Sequence, residues 1–205
     1  RQSLWKNADE LDRRLVVKLF TNSGRWIATM EEMVAEEYAI SFVSDEPLVA
    51  FTVLTNEGEF VTWVKQLRRG GLSTENYSFY IIGPNGSFEA FRIEGARGTL
   101  GDDFKVIRLN GHKVVADIDS KFGDVGGEFT VKVKDSVLAD NEWFCRVLQC
   151  FSIMILYRGT IRDKINKGFH KWKKGKWEPT QHRYEISLLA NPRKLTLKTD
   201  ELEEV

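Results

Sequence analysis

The sequence contains few of the residues that mark common functional classes. Its 205 residues include 2 cysteines and 3 histidines, which excludes a disulfide framework and leaves no plausible zinc site. Basic and acidic residues number 30 each, so no net charge draws the chain toward polyanions or cationic partners. The longest apolar run, about fifteen residues around Trp143–Tyr157, contains Arg146 and Gln149 and is too short and too polar to span a membrane.

Sequence motifs of catalysis are missing as well. There is no G-x-S-x-G, neither cysteine has a histidine nearby in the sequence, and Gly83-Pro-Asn-Gly86 lacks the lysine and the following helix of a phosphate loop. Cys145 and Cys150 lie on a predicted helix, where their side chains point about 140° apart and cannot form a disulfide. We therefore expect a non-enzymatic protein with no cofactor and no metal. The sequence begins at Arg1 without a signal-peptide pattern, so we expect any targeting segment to be already missing.

The hydrophobic pattern predicts a strand-rich domain with two helices. Hydrophobic residues make up 42% of the chain, which is enough for a core. Spacing of three and four residues predicts one helix over about 57–69, with a capping box at Asn56 and Glu59, and a second helix from about Leu138 to Tyr157. Alternating runs predict strands at Leu15–Phe20, Arg25–Thr29, Tyr38–Val43, Leu48–Leu54, Tyr77–Ile82, Phe88–Ile93, Phe104–Leu109, Val114–Ile118 and Glu128–Lys134.

This order of elements suggests an internal duplication. Four strands and a helix, followed by about five strands and a helix, predict an α+β fold of pseudo-duplicated β-β-β-β-α units, with two antiparallel sheets and the helices packed on one side. We expect a single domain over residues 1–159, with repeats over about 12–70 and 71–159. Residues 160–205 are expected to form a basic tail and a C-terminal strand pair at Arg183–Leu189 and Lys194–Lys198.

Basic residues concentrate near the end of the chain although the total charge is zero. Arg158–Trp177 contains eight basic residues and one acid, Asp163. Phe169, Trp172 and Trp177 are interleaved with the lysines, and this combination suits an unpaired nucleic-acid base and its phosphate. A merely solvated charged face is the alternative explanation.

Strand alternation also places basic residues on one face of the predicted sheet. In Phe129–Lys134, for example, Phe129, Val131 and Val133 share one face, while Lys132 and Lys134 share the other. If the helices cover the apolar side, the open side can hold the phosphates of an extended RNA, or it can simply be the polar face of a one-sided sheet. Lys105 shares its face with Ile107 and Leu109. The predicted RNA-binding residues are Lys18, Arg92, Lys105, Lys113, Lys132 and Lys134, with Lys171, Lys173, Lys174 and Lys176 as auxiliary contacts.

Two stretches resemble the Whirly-fold family of single-stranded nucleic-acid-binding proteins. In Phe51–Gly70, and again in Glu128–Ser152, a strand leads through a short link into an apolar helix. The likeness is to the kinetoplastid mitochondrial proteins that bind guide RNA. It implies a heterotetramer with a related, more basic subunit, and single-stranded RNA presented for annealing in mRNA editing in the mitochondrion. Trp63 and Phe151 are then candidates for the subunit interface. The Lys-Gly-Lys-Ala motif of the plant branch is absent from the sequence.

A second resemblance leads to a different function. Tyr80–Gly86, Phe91–Gly95 and Phe104–Ile118 look similar to the strand–glycine turn–strand repeats of tubby-like and LURP-one proteins. In that group an apolar C-terminal helix is buried inside a barrel, and Trp143–Tyr157 would correspond to it. The resemblance implies a membrane-surface or phosphoinositide-binding module, with Arg158–Lys176 as the lipid-contacting patch. Neither a helix over 57–69 nor the forty-eight residues after Tyr157 are expected in such a barrel, so this interpretation is placed second.

Overall fold

The computed structural model describes residue 11 and residues 13–55, 60–67, 75–83, 86–95, 103–120, 128–179 and 185. The predicted C-terminal strand pair lies outside this part of the chain, apart from Glu185. The description below concerns the described residues.

All nine strands belong to one antiparallel sheet, in which each strand pairs with the next along the chain. The prediction of an α+β fold is confirmed, whereas the prediction of two sheets is wrong. The strands are β1 Val16–Phe20, β2 Trp26–Glu32, β3 Ala50–Thr55, β4 Phe60–Leu67, β5 Asn76–Ile82, β6 Phe88–Gly95, β7 Phe104–Arg108, β8 Lys113–Ser120 and β9 Phe129–Val133. Turns with a glycine of positive φ join β1 to β2, β5 to β6 and β7 to β8, whereas a helix over Val34–Ser44 connects β2 to β3.

Four helices complete the described fold. Helix α1 (Val34–Ser44) lies between β2 and β3, and the short α2 (Ser136–Ala139), α3 (Glu142–Ile155) and α4 (Arg158–Lys173) follow β9. The prediction of a helix near 138–157 is confirmed in its main part. Its predicted end at Arg158-Gly159 is instead the start of α4, in the segment that was expected to be a tail.

Helix α3 forms the centre of the core. Its first turn is capped by Asn141, whose Oδ1 accepts a hydrogen bond of 2.9 Å from the Phe144 amide. The helix contacts β1, β2 and β3 at one end of the sheet and β9 at the other, so the sheet curves around it. Phe151 packs edge-on against Tyr77 and Phe104 in this core and is fully buried, so it is not available for the predicted subunit interface.

The segment predicted as a helix over 57–69 contains strand β4, and the prediction is wrong. Phe60, Val64 and Leu67 do have helical spacing, but the side chains buried among residues 62–67 are Thr62, Val64 and Gln66, which alternate. Two of these three are polar, and cross-strand partners satisfy them. The Thr62 hydroxyl donates to the Tyr80 carbonyl at 2.7 Å, and Gln66 Oε1 accepts from the Val49 amide at 3.3 Å.

The strand predicted at Tyr38–Val43 is also wrong, because this segment lies in helix α1. The buried face of α1 follows helical spacing but contains Glu37, Ser41 and Ser44. Ser41 accepts a hydrogen bond from the Leu48 amide at 2.9 Å, which ties the helix to the chain entering β3. The helix ends at Asp45, whose φ of 57° places it in the left-handed region.

Helix α4 packs beside α1 and is anchored to the start of β5. Arg158 and Arg162 both form ion pairs with Glu75, the first at 3.2 Å, and Tyr77 donates a hydrogen bond of 3.0 Å to the same carboxylate. Burial acts to raise the pKa of Glu75, but the hydrogen bond and charge of Arg162, together with Arg158, hold it below its ordinary value. No single described helix is long and apolar enough to cross a membrane; α3 and α4 pass that test only as a pair, bent by 67°.

Candidate anion-binding surfaces

The outer face of the sheet carries positive and negative charges in alternation. Strand register places Glu94 opposite Lys105, Lys105 opposite Asp117, and Asp117 opposite Lys132. Four neighbouring strands therefore contribute a row of acid, base, acid and base, and directly opposed residues of opposite charge attract one another. The predicted RNA-binding residues Lys105 and Lys132 do lie on this exposed face, but each faces a carboxylate.

Three other predicted sheet residues form ion pairs with carboxylates. Arg92 pairs with Glu94 at 2.5 Å, Lys134 with Asp117 at 2.6 Å, and Lys113 with Asp135 at 3.6 Å. Such partners reduce the positive potential that an RNA phosphate would meet, so this geometry gives little support to a phosphate-binding sheet. The assignment of these residues to RNA stays a prediction.

Lys18 lies apart from the others, on the edge strand β1. It is exposed and stands opposite Thr29 in the register of β1 and β2. Burial raises the pKa of nearby Glu31, while the charges of Arg14 and Lys18 act against that rise. Lys18 therefore also has an acidic neighbour.

The basic segment at the end of the chain divides into an anchoring part and an exposed part. Arg158 and Arg162 bind Glu75, and Lys164 is buried and donates to Glu32, so these three charges are used within the fold. The exposed part lies around the C-terminal end of α4 and consists of Lys171, Lys173, Lys174 and Lys176. Of these four, only Lys173 has an ion pair with a described residue, at 3.9 Å from Asp45, whose side chain is 92% exposed.

A turn after α4 brings the last of these lysines back over the helix end. The amide of Lys176 donates to the Lys171 carbonyl at 2.9 Å, and Gly175 has a φ of 64°, which glycine adopts without strain. Trp177 then packs against Tyr38 of α1, with ring centroids 5.0 Å apart. All four lysines therefore lie in the last turn of α4 or in the turn that follows it, at the end where α4 meets α1.

Aromatic side chains of α1 and α4 lie directly beside these lysines. The Phe42 ring is 5.6 Å from Trp172 and 6.3 Å from Phe169, and the Lys173 ammonium lies 5.3 Å from the Phe169 centroid. Phe42 is nevertheless 60% exposed, and Val43 next to it is 85% exposed. We name this surface the α1–α4 patch and define it as Phe42, Val43, Phe169, Lys171, Trp172, Lys173, Lys174 and Lys176.

The sequence pointed to the lysines of the patch and to the interleaved Phe169 and Trp172, but not to the exposed pair Phe42 and Val43. Phe42 and Val43 were interpreted as part of a strand, in which one of two neighbouring side chains is expected to point into the core. The helical conformation of α1 instead leaves both exposed, and only the contact between α1 and α4 brings them to the lysines. The exposed pair Phe42-Val43 followed by Asp45 at the helix end carried no recognisable sequence signal.

Neither cysteine has the environment of a reactive thiol. Burial raises the pKa of the Cys150 thiol to about 12, and it also raises the pKa of Cys145, which is partly buried. Among the described residues, no group of three or more His, Cys, Asp or Glu side chains has a metal-binding arrangement.

Comparison with protein-family models, with curated proteins and with solved structures finds no match to this chain. The α1–α4 patch is therefore interpreted from its own chemistry and from the fold around it.

Proposed function

We propose that this protein is a non-enzymatic module that binds anionic membrane surfaces through the α1–α4 patch. The observation that carries the proposal is the exposure of Phe42 and Val43 at the end of α4 that bears four exposed lysines, one of which, Lys173, lies over the Phe169 ring. Exposed apolar side chains can enter the headgroup region of a bilayer, and lysines near an anionic bilayer contribute about 1 kcal/mol each. A purely solvated cluster of lysines would not account for the exposed Phe42 and Val43 at the same end of the helix, because lysines stay solvated without them.

The architecture supports the same proposal. A single meandering sheet around an apolar helix agrees with what the tubby-like resemblance implies for Trp143–Tyr157, and most of that stretch is α3. One of the two features that placed this interpretation second was the helix expected over 57–69, and residues 60–67 form a strand instead. The lipid-contacting segment implied by the resemblance, Arg158–Lys176, contains all four lysines of the patch.

The first prediction tests the lysines of the patch with vesicles. Lys171→Gln/Lys174→Gln should weaken binding to vesicles of phosphatidylcholine with phosphatidylserine by roughly tenfold to thirtyfold, since two lysine contributions are lost. Lys105→Gln/Lys132→Gln removes the same charge from the outer sheet face and is the matched control. It should leave vesicle affinity within about twofold of the original protein. Sedimentation of protein with vesicles over a lipid titration gives both affinities.

The second prediction tests the apolar half of the patch. Phe42→Ala/Val43→Ala should weaken binding to the same vesicles by roughly tenfold, because less apolar surface enters the bilayer. The binding that remains should keep the salt dependence of the original protein, since the variant retains all four lysines. Equal vesicle affinity of this variant and the original protein would reduce the patch to a cluster of lysines and would contradict a mixed apolar and ionic contact.

Single-stranded RNA is the second candidate ligand, and the interleaving of lysines with Phe169 and Trp172 favours it. RNA binding is measured by the fluorescence anisotropy of a labelled oligonucleotide over a salt series. RNA binding without vesicle binding, lost in Lys171→Gln/Lys174→Gln, would assign the patch to RNA. RNA binding lost only in Lys105→Gln/Lys132→Gln would assign RNA to the sheet, as the Whirly resemblance implies. The related subunit and the role in RNA editing remain predictions of that resemblance.

A further inference from the structure

The two edge strands of the sheet, β1 and β9, leave an open groove above α3. Both edges approach the same helix, because α3 contacts β1 and β9, yet the two strands do not pair with each other. The groove has a volume of about 550 Å³. This is within the range of about 300–1,000 Å³ that is usual for small-molecule sites.

The strands contribute apolar side chains to the walls of the groove, while Thr21 and Asn22 of the β1–β2 turn add polar groups at its edge. Leu19 and Phe20 of β1 and Ile27 of β2 line one side, and Phe129 and Val131 of β9 line the other. Phe20 is 55% exposed although it borders a concave surface, so apolar area is left in contact with solvent here. An apolar ligand that covered this area would be stabilised by its removal from water.

Helix α3 gives the floor of the groove a polar half and an apolar half. Arg146 and Gln149 line the groove from the first half of the helix, and Ile153 and Leu156 line it from the following turns. These four residues are three or four positions apart, so they form one stripe along the helix. A ligand lying along this stripe meets a cation at one end and hydrocarbon at the other.

Arg146 has most of its hydrogen-bonding capacity left for a ligand. Its Nη1 donates to Gln149 Oε1 at 3.1 Å, and it forms no ion pair with any described residue. A guanidinium has five N–H donors in a planar fork that matches a carboxylate or a phosphate. The charge complementary to this floor is therefore a single anionic group.

We propose that the groove between β1 and β9 binds an anionic amphiphile with one acyl or alkyl chain, its carboxylate or phosphate on Arg146 and its chain over Ile153 and Leu156. This site shares no residue with the α1–α4 patch and goes beyond the proposed membrane binding. A bound alkyl chain would cover the apolar walls of β1 and β9. The head group would supply a negative charge for Arg146, which has no acidic partner among the described residues. Laurate and dodecyl phosphate are the probes, because both have twelve carbon atoms and they carry the two candidate head groups.

The experiment compares laurate, dodecyl phosphate and dodecanol below their aggregation concentrations by isothermal titration calorimetry with the whole chain. At least one anionic probe should bind tenfold or more tightly than dodecanol, and the tighter of the two identifies the preferred head group. Decanoate should bind up to about fifteenfold more weakly than laurate, since it lacks two methylenes and each buried methylene contributes about 0.8 kcal/mol. Equal binding of all three probes would overturn the role given to Arg146.

Three variants locate the binding site. Arg146→Gln should lower the affinity for the anionic probe by tenfold or more and leave the affinity for dodecanol unchanged. Lys105→Gln removes an equal charge elsewhere and should change neither affinity. Gln149→Trp, a substitution at an exposed helix position, should fill the groove and abolish binding of the anionic probe and of dodecanol. Its circular dichroism spectrum should stay that of the original protein. Unchanged laurate affinity in Arg146→Gln and Gln149→Trp would overturn the proposal. Dimerisation without laurate binding would overturn it too, and would assign the strand edges to a second copy of the chain.

Discussion

Replacement of Gly168 by alanine should destabilise the protein by about 1–3 kcal/mol or more, because it forces apart the contact between α1 and α4. A Cβ atom added at Gly168 would lie 1.9 Å from the Tyr38 hydroxyl oxygen and 2.6 Å from its Cζ. Tyr38 has no room to withdraw. It is 1% exposed, it packs against Trp172 and Trp177, and its hydroxyl donates to the Lys164 carbonyl at 3.4 Å.

Gly159 supplies the matched control on the same helix. A Cβ added there meets nothing within 4 Å, so Gly159→Ala should leave stability unchanged or raise it by about 0.5–1 kcal/mol through the lower entropy of the unfolded chain. Urea unfolding followed by circular dichroism measures both. Tyr38→Phe removes the nearest clashing atom, so it should return part of the stability lost in Gly168→Ala. Similar stabilities for the two alanine variants would contradict the close packing of α1 on α4.

Most of the sheet could be predicted from the sequence because its buried positions are apolar. In β9, for instance, Phe129, Val131 and Val133 alternate with the exposed Thr130 and Lys132, and the strand lies where the alternation predicts it. The same holds for α3, whose buried face is made almost entirely of hydrophobic residues. In these elements a single physical preference, the removal of apolar surface from water, fixes both the conformation and the face that is buried.

Both errors in element type have one physical cause, which is the burial of polar side chains. Thr62 and Gln66 in β4, and Glu37 and Ser41 in α1, occupy buried positions that a hydrophobic pattern assigns to the surface. Each of these residues has a hydrogen-bond partner on another segment of the chain, such as Tyr80 for Thr62 and Ala50 for Glu37. Periodicity cannot show those partners before the fold is known. For the same reason α4 was expected to be a tail, since its anchoring contacts join Arg158 and Arg162 to a carboxylate on another element.

Only part of the candidate site could be predicted from the sequence. The cluster of lysines near the C-terminus is a local feature of the sequence, but helix α4, which carries Lys171 and Lys173, was not predicted there. The carboxylates opposite the sheet lysines come from neighbouring strands, as with Lys105 and Asp117, and depend on register. Register is set by the whole meander rather than by one strand, so alternation gave the face of each lysine but not its partner.

The buried carboxyl of Glu37 should make the stability of the protein fall as the pH rises. Glu37 is fully buried, and its Oε1 accepts a hydrogen bond of 3.1 Å from the Ala50 amide. Burial raises its pKa well above the ordinary value of 4.5, and the adjacent Glu32 carboxylate raises it further, although Lys164 acts in the opposite direction. Glu37 is therefore protonated in the folded protein over a pH range in which the unfolded chain is ionised.

The sign of the pH effect follows from proton binding. Below about pH 4.5 Glu37 is protonated in both states and has no effect on stability, and above that pH only the folded state retains the proton. The contribution of Glu37 to the free energy of unfolding therefore falls by up to about 1.4 kcal/mol per pH unit, until its folded-state pKa is passed. Glu37→Gln keeps the shape and the acceptor for Ala50 but cannot ionise, so this contribution disappears.

The expected result is a difference in stability between Glu37→Gln and the original protein that grows with pH. Urea unfolding at intervals between pH 5 and pH 8 measures this difference, in which the titration of other groups common to both proteins cancels. Glu37→Met separates the proton from the hydrogen bond, because it also cannot ionise but leaves the Ala50 amide without its acceptor. It should be less stable than Glu37→Gln by about 1–3 kcal/mol at every pH, with the same pH dependence. Parallel stability curves for Glu37→Gln and the original protein would mean that Glu37 ionises in the core at its ordinary pKa, with the charge of Lys164 outweighing both burial and Glu32.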